Sequence, residues 1–201
     1  MLETTNVRRW IVLVGGVVVG GVFVGAVIAS QFRGSEAPQD LQAAIRSEPL
    51  VKVAEFPAWN GSAGRGVFVQ ATSAGFLCLW DAPSATSPAR LGGCNRTDDP
   101  FAGREMLVSF AYDGGPAPAD VRDARLIGLV SQAAAEVQVL MDDGTRRSMR
   151  LRVARIGGDT YRVFAHRVDR SDLRARVAPT AVVALDAEGR EIDRQSTGFA
   201  G

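Results

Sequence analysis

From residue 50 onward, apolar and polar residues alternate in short runs that are separated by turn residues. In the clearest run, Val137, Val139 and Met141 fall on one side of the chain, and Glu136 and Gln138 fall on the other. Successive side chains of a β-strand point to opposite faces, so this period of two is typical of strands with one buried face. The pattern therefore predicts β-structure through most of the chain.

Ten strands are predicted on this basis. They span Leu50–Phe56, Gly66–Thr72, Phe76–Asp81, Glu105–Tyr112, Arg125–Val130, Ala135–Met141, Thr145–Val153, Thr160–Ala165, Thr180–Asp186 and Glu191–Arg194. Aspartate followed by glycine in Asp142-Asp143-Gly144, and the related Asp186-Ala187-Glu188-Gly189, favour tight hairpin turns, because glycine accepts the positive φ that such turns need. Many short strands at this spacing predict a β-sandwich, and Leu126–Arg194 is most like an immunoglobulin-type sandwich.

The N-terminal part has a different pattern. Trp10–Ala29 is a run of 20 residues without a charge. A helix of that length spans about 30 Å, which is the thickness of the hydrocarbon core of a bilayer. Arg8 and Arg9 precede it, and basic residues favour the cytoplasmic side. The pattern predicts a cytoplasmic tail at 1–9, a single transmembrane helix at 10–29 and an extracytoplasmic remainder.

A cleaved signal peptide is the alternative for the same segment, and Arg8-Arg9 also partly matches a twin-arginine export signal. Both alternatives place the remainder outside the cytoplasm as well. The location in the cell membrane depends on the segment being an uncleaved anchor.

Small residues recur at intervals of four within this segment. Gly16 and Gly20 form one such pair, and Gly21 and Gly25 form another. Small residues at this spacing let two membrane helices approach closely, which favours a homodimer through one of these pairs. The alternative is that the spacing reflects composition, since the chain has 22 glycines.

Residues 30–49 are polar and link this segment to the predicted strands. Pro38 is suited to start a short helix that continues to Ile45, and Pro49 is suited to end it. We interpret 30–49 as a juxtamembrane stalk and 50–201 as an extracytoplasmic β-domain.

Composition narrows the classes of function. The chain has 201 residues, of which 46% are hydrophobic and 22% are charged, and its formal net charge is +1. A chain this apolar with so little net charge is not of the disordered class. A nucleic-acid partner is not expected, because neutralising phosphates requires a basic excess.

The two cysteines, Cys78 and Cys94, are the only ones in the chain. Thiols outside the cytoplasm oxidise, so one disulfide between them is predicted, with two free buried thiols as the alternative. A metal site is not predicted, because the cysteines are far apart in sequence and His166 is the only histidine. The segment from 82 to 104, which contains Cys94, is expected to be a long ordered loop.

Arginines are concentrated late in the chain. Ten lie between Thr145 and Arg176, against three aspartates. Strand alternation places Arg150, Arg152, Arg162 and Phe164 outward, which predicts a docking face for an anionic surface or an acidic protein partner. The alternative is a solvated sheet face that is kept soluble by its charge.

No motif for nucleophilic, metal-dependent or nucleotide-dependent catalysis occurs in the sequence, and no catalytic residue, cofactor or metal is predicted. His166 is interpreted as a histidine at the rim of a strand. A pair of carboxylates is sufficient for glycoside hydrolysis. A carboxylate-based hydrolase that modifies cell walls is therefore kept as the alternative to a binding or scaffolding module.

The hairpin sequences EVQVLMDDGTRRSMRL, from Glu136, and VVALDAEGREIDR, from Val182, carry a resemblance. The chain resembles a loose group of bacterial proteins that have one N-terminal membrane helix and one extracytoplasmic, immunoglobulin-like β-domain. The resemblance implies a membrane-anchored module and transfers no active site.

Overall fold

A computed structural model of the chain describes residues 39–59, 61–114 and 121–197. The predicted tail at 1–9, the membrane helix at 10–29 with its four glycines, and the first part of the stalk at 30–38 lie outside the described residues. Among the helices that the structure does describe, none has the length and apolar character that crossing a membrane requires.

Two short helices and twelve strands make up the described structure. Helix α1 spans Gln39–Ser47, and helix α2 spans Arg170–Ala175. The strands are β1 Val51–Phe56, β2 Arg65–Ala71, β3 Phe76–Ala82, β4 Leu91–Arg96, β5 Met106–Gly114, β6 Val121–Val130, β7 Glu136–Met141, β8 Arg146–Met149, β9 Arg152–Ile156, β10 Asp159–Arg167, β11 Pro179–Leu185 and β12 Glu191–Ser196.

The strands form three four-stranded sheets with antiparallel neighbours. The first sheet has the order β1-β2-β3-β4, the central sheet β5-β6-β10-β9, and the third sheet β12-β11-β7-β8. The prediction of a mainly β chain is confirmed, and the antiparallel sheets are compatible with a β-sandwich. Both predicted hairpin turns are present, with φ of 81° at Gly144 and 77° at Gly189.

Strand β6 of the central sheet is buried on both faces, because its alternate side chains pack against two different sheets. Ile127 and Leu129 pack into an apolar cluster with the first sheet. Leu126 and Val130 pack into a second cluster with the third sheet. A strand that is covered on both faces has no need for polar residues at every second position, and this explains the apolar run LIGLV in β6.

Helix α1 covers the outer face of the first sheet. Leu41 has no exposed surface and packs in an apolar cluster with Phe68, Trp80 and Cys78. The buried amide of Gln70 donates to the carbonyl oxygen of Glu48 at 2.8 Å, directly after the helix, and accepts from the indole Nε1 of Trp80 at 3.3 Å.

Part of the predicted stalk therefore belongs to the folded domain. The helix expected between Pro38 and Ile45 is present as Gln39–Ser47, but it packs on the sheet and does not act as a free spacer. Its amphipathic pattern places Leu41 and Ala44 on one side, where they are buried.

Strand β4 interrupts the loop that was expected from 82 to 104. It pairs with β3 so that Cys94 lies directly opposite Cys78, with their Cα atoms 4.0 Å apart. The predicted disulfide is present between them. The expectation of one long loop was wrong, because Leu91-Gly92-Gly93 carries no alternating apolar signal and yet continues the sheet.

The predicted strand Thr145–Val153 is two strands in two different sheets. Strand β8 pairs with β7 in the third sheet, whereas β9 pairs with β10 in the central sheet. Arg150 and Leu151 form the crossing between the two sheets. Alternation continues across this crossing, so the sequence pattern alone does not reveal it.

Candidate functional site

A network of buried charges joins the first and central sheets. Arg125, on β6, has no exposed surface and lies among the carboxylates of three aspartates. Its Nε donates to Oδ2 of Asp81 at 2.7 Å, and its Nη1 donates to Oδ2 of Asp113 at 3.0 Å and to Asp123. Burial alone lowers the pKa of Arg125, but the hydrogen bonds and charges of these aspartates outweigh burial and raise it above its ordinary value.

Two further arginines complete this network. Arg65 donates from Nε to Asp81 and from Nη2 to the carbonyl oxygen of Asp81 at 3.1 Å. Nε of Arg167 lies 2.9 Å from Oδ1 of Asp123, and its Nη2 donates to Oδ2 of the same aspartate at 3.2 Å. The three arginines and three aspartates carry equal and opposite formal charge, so the network is neutral as a whole.

The guanidinium of Arg167 also stacks against aromatic rings at the margin of the same interface. Its Cζ lies 5.4 Å from the ring centre of Phe56 and 5.2 Å from that of Trp59. Its Nη1 donates to the carbonyl oxygen of Pro57 at 2.8 Å. These contacts fix the segment after β1 onto β10.

A second cluster of charges surrounds His166 between the central and third sheets. Arg147 donates to Asp169 at 2.9 Å and to Asp172 at 2.8 Å. Nε2 of His166 is buried without a hydrogen-bond partner. Burial lowers the pKa of His166, Arg147 lowers it further, and Asp169 and Asp172 offset only part of that shift. The expectation of a rim histidine is therefore only partly right, since its ring nitrogen does not reach solvent.

Seven carboxyl groups of the described residues are stabilised in their ionised form. Every carboxyl of the described residues whose pKa departs from its ordinary value has that pKa lowered. They are Glu55, Asp98, Glu136, Asp143, Asp186, Glu191 and Asp193. A glycosidase needs one carboxyl with a raised pKa as the general acid. Within the described ranges no group of histidine, cysteine, aspartate and glutamate has an arrangement that holds a metal ion.

The structure corrects the prediction that Phe164 points outward. Phe164 is 1% exposed and belongs to the cluster between the central and third sheets. It packs over Gly128, where an added Cβ atom would lie 2.1 Å from the ring. Alternation correctly placed Phe164 on the same face as Arg162, but the third sheet covers that face.

The three predicted arginines do not share one face. Arg162 lies opposite Val153 in the β9–β10 ladder, and Arg152 lies opposite Val163. Residues directly opposite in a ladder share a face and successive residues alternate, so Arg152 and Arg162 project to opposite faces of the central sheet. Arg162 is partly buried, and its Nη1 donates to the carbonyl oxygen of Ala134.

A basic surface nevertheless exists at the outer margin of the central sheet. We call it the β9 edge, and it consists of Arg150, Arg152, Val153 and Arg155, all exposed. Val153 is 71% exposed, the largest fraction among the exposed large hydrophobic residues of the described chain. Arg152 acts on Glu55 through its charge, whereas Arg150 and Arg155 form no ion pair with any described residue.

Sequence reasoning missed Arg155 and the whole buried network. A signal for the network was present, because Asp81, Asp123 and Arg125 occur within runs that are otherwise apolar, FLCLWDA and VRDARLIGLV. Charged residues are rarely buried unless they are paired, so their position in such runs indicates partners inside the fold.

Comparison of the chain with protein-family models, with curated proteins and with solved structures gave no match.

Proposed function

We propose that the chain is a membrane-anchored extracytoplasmic module that binds or scaffolds a negatively charged partner at the β9 edge. In this proposal residues 10–29 anchor the chain, and the central and third sheets form an immunoglobulin-like sandwich, as the resemblance to bacterial single-pass proteins implies. The observation that carries the proposal is the exposure of Arg150, Arg152 and Arg155 beside Val153 at the margin of the central sheet.

The distribution of ion pairs supports this choice of surface. Among the described residues, eight arginines are within 4.0 Å of a carboxylate, and their charge is offset internally. They are Arg65, Arg96, Arg104, Arg125, Arg147, Arg167, Arg190 and Arg194. Arg150 and Arg155 have no such partner in the described ranges, so their field extends into solvent, where it attracts anions. Other exposed arginines, such as Arg174, share this property, and the exposed apolar Val153 beside them distinguishes the β9 edge.

The state of the carboxylates supports binding over hydrolysis. A hydrolase of the predicted alternative type needs a carboxyl that is still protonated when the substrate arrives. Hydrogen bonds and nearby charges instead lower the pKa of the seven shifted carboxyls, as Arg194 does for the pKa of Glu191. Such groups serve as partners for arginine and are poor general acids.

The short connection to the membrane limits where the module acts. Residues 30–38 separate the predicted anchor from α1, and nine residues span about 30 Å when fully extended. Because α1 packs on the first sheet, the domain is tethered at this distance or closer. We infer that the partner is met close to the membrane surface.

The test uses the full-length chain in micelles of an uncharged detergent, with fluorescent poly-glutamate as the probe. We expect the Arg150→Gln, Arg152→Gln, Arg155→Gln variant to bind about ten- to a hundredfold more weakly than wild type. The matched control replaces three other exposed arginines, Arg46, Arg170 and Arg174, with glutamine. Binding should weaken with salt, since exposed charges are screened beyond about 8–10 Å. Equal losses in the two triple variants, or no binding by wild type, would reject the proposal.

A further inference from the structure

We propose that the partner is an extended protein segment in which acidic and apolar residues alternate, and that it binds by adding a strand to β9. This inference rests on the proposed function and specifies its partner. Strand addition uses backbone hydrogen bonds for affinity and alternate side chains for specificity.

The backbone of β9 is available for such pairing. Strand β9 is the last strand of the central sheet and pairs only with β10. Alternate residues of a strand direct their N–H and C=O groups to opposite sides, so one set of these groups in β9 points away from β10. No backbone of the described residues outside the ladder with β10 forms a hydrogen bond with Arg152–Ile156. An added strand would supply hydrogen-bond partners for these N–H and C=O groups.

The two faces of β9 specify the side chains of the incoming segment. Ala154 and Ile156 face the apolar cluster between the first and central sheets, where Ile156 is buried and Ala154 is partly buried. Arg152 lies at the exposed end of that same face, whereas Val153 and Arg155 project from the opposite face and are exposed. A segment beside β9 therefore extends the apolar cluster with every second residue. Its intervening residues lie near Arg155, where a carboxylate is favoured.

Charge also disfavours a second copy of this chain as the occupant. Pairing two β9 edges would concentrate the arginines at positions 150, 152 and 155 of both copies in one small area. Like charges across a ladder destabilise it, and charged edge strands are a common means of preventing edge-to-edge association. The same arginines admit an acidic strand, so the β9 edge discriminates between self-association and an acidic partner.

The experiment uses the full-length chain in uncharged micelles and a fluorescent eight-residue peptide of alternating glutamate and valine. Two analogues keep every side chain but lack half of the backbone N–H donors. One is N-methylated at the backbone nitrogen of every glutamate, and the other at that of every valine. In an added strand only one of these sets faces β9. We expect one analogue to bind like the parent peptide and the other to bind at least about tenfold more weakly, measured by fluorescence anisotropy.

Equal binding of the two analogues overturns strand addition. If poly-glutamate then still distinguishes the β9-edge triple variant from its control, the proposed function stands without this inference. Loss of that distinction rejects the proposed function itself. A chain that ignores the peptide but binds phosphatidylglycerol added to the micelles has a lipid ligand, which also overturns the inference.

Discussion

Nε of Arg125 donates to Oδ2 of Asp81 at 2.7 Å, and both side chains have no exposed surface. Arg125 belongs to β6 in the central sheet, and Asp81 belongs to β3 in the first sheet. The pair therefore connects two sheets through the end of an otherwise apolar interface. The two side chains can pair only when the two sheets are correctly placed. A misplaced sheet would leave a buried charge without its partner, which costs free energy of folding.

Replacing Arg125 with methionine should lower the free energy of unfolding by about 3–5 kcal/mol, because it leaves buried aspartates with fewer partners. Chemical unfolding of the full chain, followed by tryptophan fluorescence, measures the loss. The matched control is Arg174→Met, an exposed arginine without an ion pair in the described chain. Unfolding midpoints that coincide for the two variants would show that the network contributes little.

Gly128 is a position at which adding a single methyl group should destabilise the fold. The Cβ atom of Gly128→Ala would lie 2.1 Å from the ring of Phe164, so the ring must shift within a packed cluster. We expect a loss of about 1–3 kcal/mol in unfolding free energy. At Gly64 an added Cβ meets its nearest atoms at 3.4 Å, and Gly64→Ala is the control.

The Phe164→Leu variant tests the same contact from the other side. Combined with Gly128→Ala, it should cost less than the sum of the two single changes, because the smaller leucine relieves the crowding that the alanine introduces. Additive losses in this cycle would place the strain elsewhere.

The disulfide between Cys78 and Cys94 is predicted to resist alkylation in the native, oxidised chain. Non-reducing peptide mapping should recover the two cysteine peptides as one linked species. The double variant Cys78→Ala, Cys94→Ala should lose about 3 kcal/mol, because the bond restricts the unfolded chain. Ready alkylation of both thiols without reductant is the contrary result.

His166 should make stability depend on pH. Because burial lowers its folded pKa below the ordinary value of about 6.5, the unfolded chain binds a proton that the folded chain does not. Stability should therefore fall as pH decreases from about 6.5 towards the folded pKa. The ring protons of this single histidine report its titration by NMR, and His166→Gln should remove the slope in this window. A titration midpoint above 6.5 would contradict the prediction.

Residues 10–29 are predicted to keep the chain in the membrane. The protein should stay with membranes after alkaline washing, and its intact mass should correspond to a chain that includes this segment. A mature chain that begins at Ser30 would replace the anchor with a cleaved signal peptide.

Local patterns were sufficient for most of the strands. Each of the ten predicted strands overlaps a strand of the structure, because alternation at positions such as Val137 and Val139 directly reports a half-buried face. The strand containing Cys94 was missed, since two glycines at its start carry no hydrophobic signal. The predicted exposure holds for Arg150 and Arg152, which lie at the β9 edge. Arg162 is instead partly buried and faces the third sheet.

Local sequence accounts for the β-class, the hairpin turns and the pairing of the only two cysteines. These properties depend on the period of side-chain alternation, on the conformational freedom of glycine and on a count of thiols. Long-range contacts account for the rest: three sheets stack, Phe164 is buried against Gly128, and Arg125 neutralises aspartates on two different sheets. Alternation reveals that a strand has two faces, but whether a second sheet covers a given face depends on contacts between residues far apart in the chain.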